Sequence, residues 1–296
     1  MLQRIYLLLA VIFWGGSFVA TKILVGYVSP VEVMGLRFIV GLPFMFGVVL
    51  IKGVKFNFQR TDIKWFLLAS TIITIHFVIQ ITGIRYTSAT NTGWIISITP
   101  LILAVLSFFI LHERLGVREI AGIIVATGGI FLLISRGDFA HIGWLRSVGD
   151  WLVLVSAHTW AIYTVVTRDI SRKYNPLAVT FTILVPSAVV LVTYMLFTSD
   201  WGSFLRLPTD GIVSLLVLGI LSLAAGHWFW QEGIAAIGAA KAGFFLYLEP
   251  LTTTVIAVPY LHEKFGVWGA SGAFLVLAGV FIAERRRRRT AGKAAV

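Results

Sequence analysis

The chain has no cysteine in 296 residues. Disulfide frameworks, thiolate catalysis and Cys-ligated zinc are therefore excluded. Charge is scarce as well: Asp, Glu, Lys and Arg make up 12% of the residues, against about 25% in a soluble domain. At that density a soluble protein of this size could not keep its surface wet. Acidic residues are the scarcest class, 13 against 24 Lys and Arg, which leaves a net charge of +11. These shortages rule out an ordinary cytosolic enzyme and a disordered chain.

What the chain has is apolar length. It is 58% hydrophobic, with a mean hydropathy of +0.92. A spanning helix needs about 20 mostly apolar residues. Windows of that length predict ten spans, near 4–25, 31–51, 63–84, 88–111, 117–135, 149–168, 177–197, 211–231, 239–261 and 267–284. The runs are too long for barrel strands and do not alternate with period two. The expected fold is an all-α polytopic membrane protein. The first span, with Arg4 before it and Ala20 near its end, has the look of a signal peptide. Trp14 and Lys22 have counterparts in the second half of the chain, so this span reads as a structural part.

With the N-terminus placed in the cytoplasm, 17 Lys and Arg fall on the inner side, 6 on the outer side, and Arg37 alone inside a span. That is a strong positive-inside bias, with both termini cytoplasmic. The basic run Arg285 to Arg289 follows the last span directly. It reads as an anchor on anionic lipid heads, and no nucleic-acid partner is expected.

The chain also repeats itself. Gly83–Ile134 aligns without gaps on Gly233–Glu284, with 15 of 52 positions identical. Ala89 and Gly93 match Ala239 and Gly243, and Pro100-Leu101 matches Pro250-Leu251. Leu111-His112-Glu113-Arg114 matches Leu261-His262-Glu263-Lys264, and Gly116, Gly122 and Gly129 match Gly266, Gly272 and Gly279. More weakly, Trp14, Lys22 and Pro30 match Trp160, Arg168 and Pro176. The predicted organisation is a first repeat over 1–135, a linker over 136–148, a second repeat over 149–284 and a basic tail over 285–296. Five spans per half would set the second copy upside down, the architecture of many secondary transporters.

Each copy is closed by a proline, about a dozen apolar residues, Leu-x-Glu-Arg/Lys-x-Gly and a glycine-spaced helix. This pattern resembles the EamA family of the drug/metabolite transporter superfamily. Pro100, Glu113, Gly116 and Gly122 carry the resemblance in the first copy, and Pro250, Glu263, Gly266 and Gly272 in the second. Trp14-Gly15-Gly16-Ser17-Phe18 and Arg37 match the family's habit too. The resemblance implies an inner-membrane exporter of amino acids, metabolites or drugs, with a central cavity between the halves.

Candidate cavity residues follow from polarity within spans, which is costly unless it faces a partner or water. Glu249, before Pro250 near mid-membrane, either binds a substrate amine, carries a proton, or satisfies groups freed by the proline. Arg37 either binds a carboxylate, pairs with Glu249, or snorkels to the outer interface. His76 and Gln80 share a helix face, and His227 and Gln231 repeat that spacing. His158 is a third histidine candidate. Trp94, Trp160, Trp228 and Tyr247 could form an aromatic basket, Asn91 shares the region of Trp94, and Trp14, Ser17 and Tyr163 are further cavity candidates. Glu113 and Glu263 read as interfacial caps on the tight turns into spans five and ten. Gly122, Gly128, Gly129, Gly272 and Gly279 read as close helix contacts.

No metal site and no cofactor is expected, since there is no His-Glu-x-x-His and no cysteine. No Gly-x-Ser-x-Gly and no paired intramembrane acids are present, so an enzyme is not expected. The leading reading is a secondary transporter that exports small amphipathic metabolites, chiefly amino acids or related compounds. A multidrug exporter is the alternative, with a non-transport intramembrane enzyme behind it. Its partners would be a small-molecule substrate and membrane lipids, with monomer or homodimer left open.

Overall fold

The computed structural model describes residues 2–135, 147–261 and 267–284. Among these residues all regular structure is helical. Much of the 136–148 linker, the Glu263-Lys264 pair and the 285–296 tail lie outside them.

The first half runs α1 (Leu2–Leu24), α2 (Pro30–Ile51), α3 (Ile63–Tyr86), α4 (Ala89–Ile96), α5 (Thr99–Ile110) and α6 (Val117–Ser135). The second runs α7 (Val148–Lys173), α8 (Pro176–Thr198), the single turn α9 (Trp201–Phe204) and α10 (Thr209–Leu216). A π-helical segment, Val217–Gly226, then leads into α11 (His227–Ile237). After α12 (Ala239–Gly243) comes a 3-10 segment, Phe244–Leu248, followed by α13 (Glu249–Leu261) and α14 (Val267–Glu284). Seven segments of the described residues are long and apolar enough to cross a membrane, including Leu2–Leu24 and the combined Thr209–Ile237.

Helix starts follow local chemistry. Ser29 caps α2 in a reciprocal box with Glu32, and Pro30 opens the helix. Ser147 and Asp150 do the same for α7. The Asn175 side chain caps α8 through the Leu177 and Ala178 amides. Two expected spans are broken just ahead of their matching prolines, Pro100 and Pro250, where a helix loses a backbone donor. The fourth splits at Ser97-Ile98 between α4 and α5, and the ninth narrows to a 3-10 turn before Glu249.

Glycines set the helix contacts. A Cβ on Gly122 would lie 2.6 Å from the Gly279 carbonyl oxygen, and one on Gly129 would lie 2.7 Å from that of Gly272. Hence α6 and α14 touch backbone to backbone and run antiparallel. Gly93 packs on Pro250, with a Cβ placed 3.2 Å from its Cα, and Gly243 packs on Pro100 at 3.7 Å. Gly15 of α1 fits against the Glu249 carbonyl, 2.8 Å from where a Cβ would stand. Large apolar side chains such as Ile51, Phe109, Phe197 and Phe281 are exposed. They form the kind of surface that hydrocarbon covers.

Candidate functional site

The two halves enclose a cavity of about 30 Å³, room for about two waters. From the first half it is lined by Trp14, Ser17, Phe18 and Thr21 of α1, Arg37 of α2, His76, Phe77 and Gln80 of α3, and Ile96 at the end of α4. From the second half come Trp160 of α7, Ser222 of the π segment, His227 of α11, Leu246, and Glu249 at the start of α13.

Ser222 organises one wall. Its carbonyl accepts from Trp14 Nε1 at 3.1 Å and lies 3.0 Å from His227 Nδ1. Its hydroxyl accepts from Arg37 Nη2 at 3.2 Å. The guanidinium carbon sits 4.7 Å from the centre of the Phe77 ring, a cation–π contact that fixes its plane. A carbonyl only accepts, so His227 carries its proton on Nδ1 and presents a lone pair at Nε2 when neutral. His76 Nδ1, 3.0 Å from the Ser156 carbonyl and 3.1 Å from Thr159 Oγ1, is held the same way. Trp14 meets Trp160 edge to face, ring centres 4.8 Å apart, and Trp160 lies 5.2 Å from His76 and 5.6 Å from His227. The walls are thus aromatic, with a guanidinium and a carboxyl group set into them.

Arg37 is only 4% exposed and Glu249 also 4%. Among the described residues they form no ion pair with each other. This corrects two expectations for Arg37, snorkelling and pairing with Glu249. Its side chain turns inward and reaches across to the π segment, so its head group lies within the bundle.

Both ends of the bundle are tied. At one end the Glu113 carboxylate accepts from Arg168 Nε at 3.0 Å and from the Ala239 and Ala240 amides at 3.3 and 3.0 Å. Glu113 therefore caps α12 across the molecule, and the expectation that it caps the turn into its own next helix is corrected. The N-terminal dipole of α12 and the Arg168 cation together draw it there. Beside it, Lys173 and Tyr174 hold Asp62 at 2.7 and 2.5 Å. At the other end Lys22 donates to the Ile84 and Thr87 carbonyls at 3.1 and 2.6 Å, and Asp150 accepts from Thr87 and Asn91 at 2.5 Å each.

The sequence profile of the EamA-like transporter family matches residues 2–135 and again 147–284. The chain belongs to that family. It is therefore a multi-pass membrane protein of a transporter family. It is 30% identical over 276 residues to a Bacillus subtilis (strain 168) protein described as the uncharacterized transporter YyaM, covering 92% of this chain and 90% of that one. An Archaeoglobus fulgidus protein, also described as an uncharacterized transporter, is 30% identical over 287 residues, covering 97% and 100%. A solved crystal structure shares the fold with a TM-score of 0.75 at 18% identity, covering 95% of this chain and 96% of that one.

Within this EamA-like fold, Trp14, Ser17, Arg37, His76, Gln80, Trp160, His227 and Glu249 come together on the cavity. Seven other candidates do not reach it. Gln231 is spent on Tyr163, Thr167 and Ser171, and Tyr163 with it, in a buried network that joins α11 to α7. Tyr247 meets Thr127 of α6 at 3.0 Å, and Trp94 packs in the same apolar cluster beside α6 and α14. Asn91 belongs to the Asp150 tie. His158 is exposed and bonds the Leu154 carbonyl of its own helix at 2.9 Å. The expected basket of Trp94, Trp160, Trp228 and Tyr247 does not form: Trp228 stands with Tyr6 and Phe229 and donates to Glu232. The aromatic wall is instead Trp14, Trp160 and Phe77.

Ser222, Thr21 and Phe77 were not candidates by sequence. Thr21 lies one turn beyond Ser17, a usable signal. Ser222 lies five residues before His227, a π-helical spacing that an α-helical period misses.

Proposed function

We propose that this protein is a secondary transporter that exports small amphipathic metabolites, amino acids or related compounds first among them, across the inner membrane by alternating access. One observation carries the reading: a polar, aromatic-walled cavity lies between the halves, and each end of the bundle is closed by its own set of polar ties. Releasing one set and keeping the other would open the cavity to one side at a time. The proposed topology is ten spans in two inverted halves with both termini in the cytoplasm. The antiparallel contact of α6 with α14 and the reciprocal glycine–proline contacts support it, because equivalent helices meet head to tail. The Glu113 end is then the cytoplasmic one, consistent with Arg168, Lys173 and Lys241 gathering there.

The test is flux from liposomes that contain the purified protein, loaded with labelled aliphatic and aromatic amino acids. Saturable efflux of at least one is expected. Absence of flux for the whole panel would overturn the reading. A multidrug exporter is the second reading, favoured by the Trp14–Trp160 wall. Efflux of tetraphenylphosphonium in place of amino acids would establish it.

A further inference from the structure

Several polar groups on the cavity wall are buried and have nothing to bond. Arg37 Nε, Trp160 Nε1 and His227 Nε2 lack any hydrogen-bond partner. The Glu249 carboxylate, on a residue 4% exposed, has none among the described residues either. Buried polar groups are almost always bonded, because leaving one bare forfeits its hydration. Three such atoms on one small cavity, with a bare carboxylate among them, mark a place that a ligand completes.

Their chemistry sorts into two kinds. The Arg37 guanidinium and the Trp160 indole N–H can only donate. Glu249 accepts, and His227, whose Nδ1 is committed to the Ser222 carbonyl, offers a second acceptor at Nε2. Arg37 is turned onto Ser222 and Phe77 and makes no ion pair with Glu249 among the described residues. The cavity therefore asks for an anion against one group and a cation against another in the same molecule.

We propose that the cavity is a zwitterion site in which Arg37 and Trp160 receive the ligand's carboxylate and Glu249 receives its ammonium group. A plain amine would leave Arg37 buried and unmatched, and a plain carboxylate would leave Glu249 so. Each is rejected by the cost of the bare charge rather than by shape. The cavity as it stands has room for about two waters, so the solute enters as the halves part. In that respect the proposal rests on the transport reading.

Equilibrium binding to the purified full chain tests the site without requiring flux. Labelled leucine, phenylalanine and proline are each competed with the matching amide, which lacks the carboxylate, and the deaminated acid, which lacks the ammonium. The amide and the acid are expected to bind at least about tenfold more weakly than the amino acid, the loss of one charge-assisted contact. Arg37→Gln should erase the preference over the amide, and Glu249→Gln the preference over the acid. Trp160→Phe removes the indole N–H while keeping an aromatic ring and leaving every charge in place, and should weaken amino acid binding severalfold, which gives a readout independent of the charge variants. The proposal is overturned if none of the three amino acids binds, if an amide or acid binds as tightly as its parent, or if both charge variants keep the original preferences. The two readings separate cleanly. Amino acid binding without flux would sink transport and leave the site, while flux of a lipophilic cation without amino acid binding would sink the site and leave transport.

Discussion

The α6–α14 pair and the cavity wall solve opposite problems. At α6–α14 the glycines bring two backbones together with no side chain between them. At the cavity the helices stand off, and Arg37, Trp160, His227 and Glu249 are buried with bonding capacity to spare. Close backbone packing without polar groups is how helices associate in lipid, where no hydrophobic force between them is available. Buried groups left unmatched work against stability. The first region therefore holds the fold and the second strains it, as functional sites commonly do.

Substitutions can break or sharpen that contrast. The largest effect is expected at Gly122→Leu, whose Cβ would sit 2.6 Å from the Gly279 carbonyl oxygen and 2.7 Å from Ala283 Cβ. Both obstacles belong to a packed helix, so α6 and α14 must part. Thermal unfolding in detergent should show loss of the folded state or a fall well beyond the roughly 1–3 kcal/mol of ordinary overpacking. Gly238→Ala comes next. Gly238 has φ +88, and a Cβ there would lie 2.8 Å from the Glu113 carboxylate. A left-handed residue and a disturbed cap together should cost about 1–3 kcal/mol by the same measurement.

Glu249→Gln should act in the opposite direction. Removing an unpaired buried acid is expected to raise stability by about 1 kcal/mol while flux falls. A fall in stability with flux intact would show that Glu249 belongs to the scaffold. The smallest effect is expected at His158→Leu, on the exposed face of α7. Stability should stay within about 0.5 kcal/mol and flux should be unchanged.

Much of this was legible in the residues. Apolar run length placed the helices, and the matching Pro30 and Pro176 stand at the starts of α2 and α8. The spacing of Gly122, Gly129, Gly272 and Gly279 marked close helix contacts, but not that α6 and α14 are the helices that meet, and a Cβ on Gly128 in the same run would meet nothing within 4 Å. Intramembrane polarity pointed to Arg37, His76 and Glu249, because side chains costly in lipid must face something else. Depth was harder to read. His76 and Gln80 both line the cavity, yet on α11 only His227 does. A spacing of four keeps a face but moves about 6 Å along the axis, and there Gln231 has already reached Tyr163 and Ser171. The π segment was out of reach altogether. Wide turns depend on tertiary contacts such as Arg37 and Trp14 on Ser222, which no local pattern encodes. Glu113 reads as a local cap in the sequence because its partners, Arg168, Ala239 and Ala240, lie far along the chain.

The central claim is that two like halves lie upside down to one another around the cavity. A chain without cysteine is a clean background for placing single thiols. Lys55 and Arg206 sit in the corresponding loops of the two halves, and both are exposed. In intact cells an impermeant maleimide should label Arg206→Cys and leave Lys55→Cys untouched until the membrane is opened. Labelling of both positions from the same side would contradict the inverted arrangement and, with it, the two-sided cavity.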